Sequence, residues 1–279
     1  MNDNSRTLLL AVDVGNSRFK FGLFQPLRRD EPQPVLPAFV ESLAAALNEP
    51  VPWDELAAWA QREPGAPLRA VVAGANPPAI ELLLRDWPRT PWPKPVVVLG
   101  PATLPIAIHV DAPEKVGIDR LLNAVAANAL RSAGEPMIVV DAGTATTVDY
   151  VSPAGAFEGG AILPGLQLSA RALHRYTALL PLIPQADLAG PPPAPVGRNT
   201  RDALRSGLLW GQVGSVRELI ARLSEIAPTP PTVLLTGGGA LLLAPFLKTA
   251  CRLEPHLGLR GLALTAALGL VDRGDTRHA

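Results

Sequence analysis

The run Leu10-Ala11-Val12-Asp13-Val14-Gly15-Asn16-Ser17 returns, altered, as Ile138-Val139-Val140-Asp141-Ala142-Gly143-Thr144-Ala145. In both copies an apolar stretch rich in β-formers leads into Asp-x-Gly, and small residues with hydroxyl or amide groups follow. A second strand-like segment comes next, at residues 18–24 and 146–152. A glycine-bearing turn between two such runs is a hairpin signal. Each copy also continues alike. After the first, the pattern predicts a strand at 70–74, a helix at 78–85 and a strand at 96–99. After the second, it predicts a strand at 156–163, helical stretches at 165–178 and 201–226, and a strand at 232–235. Hairpins followed by alternating helices and strands imply a mixed α/β sheet in each half. The expectation is two similar α/β lobes facing each other across a cleft.

Joining the halves is residues 118–131, where Ile118, Leu121, Leu122, Val125, Ala126, Ala129 and Leu130 fall at helical spacing. A further helix is expected at 258–271. The domain division expected is 1–117 for the first lobe, and 118–279 for the linking helix, second lobe and terminal helix. Of 31 prolines, many crowd into 25–37, 91–105 and 191–195, which reads these stretches as loops, the last partly mobile. At 279 residues the chain can hold two cores of ordinary size, and 48% hydrophobic against 18% charged residues is the balance of a folded protein. The 25 basic and 25 acidic side chains cancel, so the broad basic surface of a nucleic-acid binder is not expected. Cys251 is the only cysteine, which excludes an internal disulfide and a cysteine-cluster metal site; it reads as a small buried residue. The apolar run 8–12 is short and broken by Asp13, so it reads as a strand and not as a signal or membrane span. A cytoplasmic setting, with no membrane or nucleic-acid partner, is the expectation.

A hairpin with Gly at its tip lets backbone N–H groups approach phosphate oxygens, because no Cβ intervenes. Asn16, Ser17, Thr144, Thr146 and Thr147 add side-chain donors, and an Asp just before each hairpin can hold Mg²⁺. A lone Asp-x-Gly is ordinarily just a turn. Two copies at equivalent places in similar halves point instead to a nucleotide triphosphate clamped from both sides. A third element, Val233-Leu234-Leu235-Thr236-Gly237-Gly238-Gly239-Ala240, reads as a strand, a glycine turn and a helix, and fits the adenosine corner of the same cleft. Lys20 stands on the second hairpin strand and can reach the phosphates; a solvated strand face is the plainer alternative.

The order of motifs is more specific than any one of them. Asp-x-Gly-Asn-Ser, Gly117-Ile118-Asp119-Arg120, Asp141-Ala142-Gly143-Thr144-Ala145-Thr146-Thr147, Gly159-Gly160-x-Ile162-x-Pro164-Gly165, Asn199-Thr200 and Thr236-Gly237-Gly238 together resemble the type III pantothenate kinases, from about residue 8 to 270. The resemblance implies two ribonuclease H-like (actin-like) lobes with mixed sheets flanked by helices and an ATP cleft between them. It implies phosphorylation of the primary hydroxyl of pantothenate by ATP, the first step of coenzyme A synthesis. It makes Asp119 the general base, and lines the pantothenate site with Gly117, Ile118, Asp119 and Arg120, the guanidinium suiting a carboxylate. Asp13, Val14, Gly15, Asn16, Ser17, Arg18, Phe19 and Lys20 become the first ATP clamp, with Asp13 near Mg²⁺, and Thr144 touches ATP. Asp141 helps hold a monovalent cation, K⁺ or NH₄⁺. Thr200 contacts pantothenate from the neighbouring subunit of a homodimer.

Two departures stand out. Ser17 replaces the family's usual Thr and keeps the hydroxyl. The Tyr-x-Asn-Pro stretch that often precedes Gly-x-Asp-Arg is here Val110-Asp111-Ala112-Pro113, so a Tyr wall of the pantothenate pocket is missing; His109 is a candidate substitute or simply a strand-end residue. Residues 161–183 form an apolar stretch that fits an interface, a substrate wall or second-lobe core equally. The rivals are a kinase of the same fold for another small hydroxylated substrate, and a non-catalytic nucleotide-binding relative. Intact Asp13, Asp119 and Asp141 weigh against the second. A zinc hydrolase is excluded, because His109, His174, His256 and His278 show no ligand spacing.

Overall fold

The computed structural model describes residues 7–25, 35–98 and 100–269. The end of the strand expected at 96–99, the end of the helix expected at 258–271, and most of the loop expected at 25–37 lie outside the described residues.

The first sheet is built from β1 (Leu8–Val14), β2 (Arg18–Gln25) and β3 (Ala38–Ala46), then a helix α1 (Trp53–Ala60), β4 (Leu68–Gly74), α2 (Pro77–Asp86) and β5 (Val96–Val98). Every residue of β1 is buried, as a central strand covered on both faces requires. Leu8, Leu10, Val12 and Val14 share a core with Phe19, Phe21 and Leu23 of β2, Trp59 of α1 and Leu83 of α2. By strand alternation Leu9, Ala11 and Asp13 take the other face. Buried tryptophans need a partner for their N–H: Trp92 Nε1 donates to the Leu56 carbonyl at 2.7 Å and Trp87 Nε1 to that of Pro93 at 2.9 Å. α2 starts where Asn76 accepts the Ala79 N–H at 3.2 Å, with Pro following at the positions that need no donor.

After α3 (Ile118–Leu130) the pattern repeats: β6 (Met137–Ala142), β7 (Ala145–Val151), β8 (Phe157–Pro164), α4 (Leu166–Arg175), α5 (Gln185–Leu188), α6 (Thr200–Ile226), β9 (Thr232–Thr236), α7 (Ala240–Leu243), β10 (Cys251–Leu253) and α8 (Leu257–Ala267). The two sheets run β3-β2-β1-β4-β5 and β10-β9-β6-β7-β8. Read from the first strand of each, they are the same: an antiparallel hairpin and a third antiparallel strand on one side, two parallel strands on the other. This is the mixed α/β sheet the repeat predicted, in the ribonuclease H-like arrangement the family resemblance implied. Asp13 and Asp141 hold equivalent places near the carboxyl ends of β1 and β6.

By their described residues, one compact unit takes in everything up to Ser132 together with the stretch from His256 onward, and the other runs Ala133–Pro255. This differs from the division at 117/118 read in the sequence, where both α3 and the terminal helix went with the second lobe. α3 packs against α8 and β4, and α8 against β1, β2 and β4. The reason is apolar cover. β1 leaves Leu9 and Ala11 on the face away from α1 and α2, and α8 brings Leu257, Leu259, Leu262 and Ala263, all buried.

The proline-rich stretch before α6 is held along that helix, against the mobility expected near Pro191. Prolines have carbonyls and no N–H to offer, and α6 supplies the donors. Arg205 Nη2 bonds the Pro191 carbonyl at 2.9 Å, Trp210 Nε1 that of Pro193 at 3.2 Å, and Ser206 Oγ that of Pro195 at 2.9 Å. Asn199 then caps α6, accepting the Asp202 N–H at 2.9 Å, which sets Thr200 in the first turn.

Candidate active site

In the first unit the register pairs Asp13 with Lys20 across β1 and β2. Asp13 is only 6% exposed, yet Lys20 Nζ stands 2.9 Å from its Oδ2. A buried carboxylate needs such a partner. The hairpin tip Gly15–Ser17 differs from expectation in one respect. The Gly15 N–H donates to the Arg18 carbonyl at 3.0 Å, and the Gly143 N–H donates to the Ala145 carbonyl at 3.1 Å. Both glycine amides therefore close their own hairpins. What the tips present outward is the next residues, Asn16, Ser17 and Thr144, all exposed. Neither glycine has a left-handed backbone, and an added Cβ at Gly15 would only touch the Arg18 oxygen at 3.4 Å. The fold itself therefore does not demand glycine at Gly15.

Of the first-clamp residues, Val14 and Phe19 point into the core, so any contact with ATP is through their backbone. Arg18 is exposed.

In the second unit, Asp141 is in register with Thr147 of β7 and Thr236 of β9. Ile138, Val140, Val148, Val233 and Leu235 face the helix-covered core, so Asp141, Thr147 and Thr236 form a row on the opposite face. Thr147 Oγ1 is buried with no hydrogen-bond partner. A carboxylate beside an orphaned hydroxyl and a second buried hydroxyl is a set of hard oxygen donors, which fits a hard cation. Sequence reasoning gave Thr146 and Thr147 to the phosphates. Instead Thr146, 2% exposed, alternates to the core face, and Thr147 sits beside Asp141. The register of Thr236 with Asp141 is a pairing that residue spacing does not reveal. Gly237 has φ 87°, and an added Cβ would lie 2.7 Å from the Ala142 carbonyl carbon, so this glycine is required by the turn itself. At Gly238 the space is open.

Asp119 lies in the first turn of α3, partly buried, with Oδ1 accepting the Arg120 N–H at 2.9 Å. α3 has no side-chain cap at Gly117, so this carboxylate faces the positive end of an uncapped helix. A Cβ at Gly117 would stand 2.6 Å from Asp119 Oδ1. Ile118 is buried and Arg120 partly exposed. Thr200, in the second unit, is exposed. His109 is exposed in the irregular stretch ahead of α3. Burial pushes the Cys251 thiol up, in keeping with an unreactive residue. Among the described residues no cluster of three or more His, Cys, Asp or Glu gathers to bind a metal, and no helix is long and apolar enough to cross a membrane.

Comparison with known proteins adds to this geometry. The family model for type III pantothenate kinase matches residues 9–222. A type III pantothenate kinase of Gluconobacter oxydans is 38% identical over 269 residues, covering 93% of each chain. One from Acidiphilium cryptum is 40% identical over 200 residues, covering 71% of this chain and 72% of its own. Among solved structures, a glucokinase from an Antarctic psychrotroph aligns with 94% of this chain and 99% of its own at a TM-score of 0.47 and 9% identity. With the family model spanning most of the chain and the motif residues standing at equivalent strand ends, the chain belongs to the type III pantothenate kinase family.

Proposed function

We propose that this chain transfers the γ-phosphoryl group of ATP to the primary hydroxyl of pantothenate, opening coenzyme A biosynthesis in the cytoplasm. The observation that carries the reading is the pair of topologically equivalent Asp hairpins, together with a carboxylate in the first turn of α3. Phosphoryl transfer passes through a loose transition state, so the protein's work is positioning and charge neutralisation. Asp119, a carboxylate, acts as a weak base. It orients the hydroxyl and takes its proton late. Arg120 meets the pantothenate carboxylate with its planar fork, while Gly117 and Ile118 offer backbone. Thr200 reaches the substrate from a second subunit.

Asn16, Ser17, Arg18 and Lys20 are the triphosphate contacts of the first hairpin in this reading, and Thr144 that of the second. Lys20 has two possible partners, Asp13 and a phosphate. With Lys20 on the phosphate, Asp13 would be the residue to hold Mg²⁺. Asp141, Thr147 and Thr236 would hold K⁺ or NH₄⁺. When bound, such cations would offset the negative charge of ATP. The test is ADP release with ATP, Mg²⁺ and pantothenate, with and without K⁺. Turnover is expected only with pantothenate and K⁺. Asp141→Asn should raise the K⁺ concentration for half-maximal rate by about ten-fold or more. Turnover that ignores both pantothenate and K⁺ would sink the reading.

The homodimer has its own support. Ile162, Leu168, Leu173, Tyr176, Leu179 and Leu182 are exposed, Tyr176 by 79% and Leu179 by 90%. The segment carrying them is tied back to α4: Thr177 Oγ1 donates to the Leu173 carbonyl at 2.6 Å, and His174 Nδ1 bonds the Leu180 carbonyl at 2.9 Å. An ordered apolar patch of this kind calls for cover, and a second copy supplies it. Sedimentation should show a dimer that Leu179→Asp with Tyr176→Glu converts to a monomer; a monomeric wild type would exclude it.

A further inference from the structure

The Asp13–Lys20 pair lies on the face of the first sheet that α8 covers, and α8 begins in an unusual way. Its N-cap residue His256 has φ 59° and ψ 28°, one of two non-glycine residues with left-handed backbone among the described residues. The ring makes no cap bond. It turns to β3 instead, stacking on Phe39 with centroids 4.9 Å apart and planes 13° from parallel. Its Nε2 is 3.3 Å from Ser42 Oγ. Phe39 in turn meets Phe24 edge-on at 5.7 Å. The register sets Lys20 opposite Ala44 and, one rung further on the same face, Gly22 opposite Ser42. Gly22 has no side chain, and the Phe24 ring and Leu259 of α8 share the room: a Cβ there would be 2.7 Å from the Phe24 ring and 3.2 Å from Leu259 Cδ1. The first turn of α8 therefore rests on the rung beside Lys20, and His256 is the residue that fastens it there.

We propose that His256 is a positioning residue for the phosphate clamp: held by Phe39 and Ser42, it fixes the start of α8 on β3 and forms the wall that keeps Lys20 turned toward Asp13 and the hairpin tip. This rests on Lys20 being part of the ATP clamp. The role needs a neutral ring. The charged groups facing it are Lys20 on β2, itself paired with Asp13 on β1, and Arg260 one turn along α8; β3 brings Phe39 and Ser42. Removal from water, with Lys20 and then Arg260 nearby, holds the His256 pKa below its ordinary value. A depressed folded-state pKa means that the unfolded chain binds the proton more readily. Stability from this site is therefore whole above the ordinary histidine pKa of about 6.5 and is lost as pH falls through the lowered value. The clamp should loosen in the same acidic window.

The experiment is steady-state kinetics with ATP varied, across that window, for wild type, His256→Asn, Phe39→Leu and Lys20→Met. Asn tolerates left-handed backbone but neither stacks nor reaches as His does. In His256→Asn, KM for ATP should rise about ten-fold while kcat changes less than about three-fold, the signature of lost binding and not of lost chemistry. The acidic rise in KM for ATP expected of wild type should be absent from this variant. If His256→Asn does not fold, Phe39→Leu, which leaves the backbone alone, should raise KM in the same direction. Unchanged KM for ATP in the folded His256→Asn, or in Phe39→Leu standing in for it, while Lys20→Met raises it, overturns the proposal. So does a fall in kcat alone with the pH profile unmoved. If Lys20→Met itself leaves KM for ATP unchanged, the clamp reading fails, and this inference with it.

Discussion

Asp119→Asn is expected to lower kcat by about 10³-fold, with KM for ATP nearly unchanged and the fold intact. Loss of a positioned general base costs about 10²–10⁴ in rate. The competing account is that Asp119 merely starts α3. Its Oδ1 accepts the Arg120 N–H, and its charge faces the helix's positive end. Asn keeps the oxygen acceptor and loses only the charge, which is worth about 0.3–1 kcal/mol of stability at a helix start. The two accounts therefore separate cleanly. A helix-starting role predicts a small fall in melting temperature and near-normal turnover. The catalytic role predicts a stable, nearly inactive protein that still binds ATP. Gly117→Ala probes the same point from another side. Its Cβ would stand 2.6 Å from Asp119 Oδ1, so the carboxylate must rotate away. In such a site, misplacement by about 1 Å can cost about 10²-fold. Comparable activity in Asp119→Asn and wild type, measured as pantothenate-dependent ADP release, would remove Asp119 from the chemistry.

The two hairpins, α3, α6 and β9 were legible because each carries a strong local signal: an unbroken apolar run into Asp-x-Gly, or apolar residues at helical spacing over many turns. β3 was not foreseen. It is an edge strand whose only fully buried residue is Ala45, so no alternation marks it. α1 is eight residues long, too short for periodicity to stand out. The placement of α3 and α8 in one unit was hidden for a different reason. A helix buried nearly all round, such as α3 with Ile118, Leu121, Leu122 and Ala124 through Ala127, shows that it has neighbours without saying which. In the site, the motif glycines were visible, but their use was not. Gly15 and Gly143 spend their N–H groups inside the hairpins. That Asp141 stands between Thr147 and Thr236 is a fact of register across three strands, and register belongs to the folded sheet. His256 had no motif at all. Its neighbours Phe39 and Ser42 lie on β3, the strand the sequence did not show.

Gly261→Ala should be the most damaging one-carbon change in the first unit. A Cβ at this position would press on the Leu122 backbone, 2.8 Å from its carbonyl carbon and closer still to its oxygen. Backbone cannot rotate aside as a side-chain tip can. α8 must then lift from α3, and with it Leu257, Leu259 and Leu262, which close the face of the sheet carrying Leu9 and Ala11. In an unconstrained helix the same change would stabilise by about 0.5–1 kcal/mol, since Ala is the better helix former. Overpacking a close contact costs about 1–3 kcal/mol and sometimes more. The clash outweighs the propensity gain, and a net loss of about 2 kcal/mol is expected. Gly207, Gly211 and Gly214 on α6 supply the control. An added Cβ meets nothing within 4 Å at any of them, so Gly211→Ala should raise stability by up to about 1 kcal/mol. Opposite signs for two Gly→Ala changes in two helices, read by chemical denaturation, would show that close approach of α8 to α3 is what holds Gly261. A stabilised Gly261→Ala would mean that the two helices have room to separate, and that the cover over β1 does not depend on their contact.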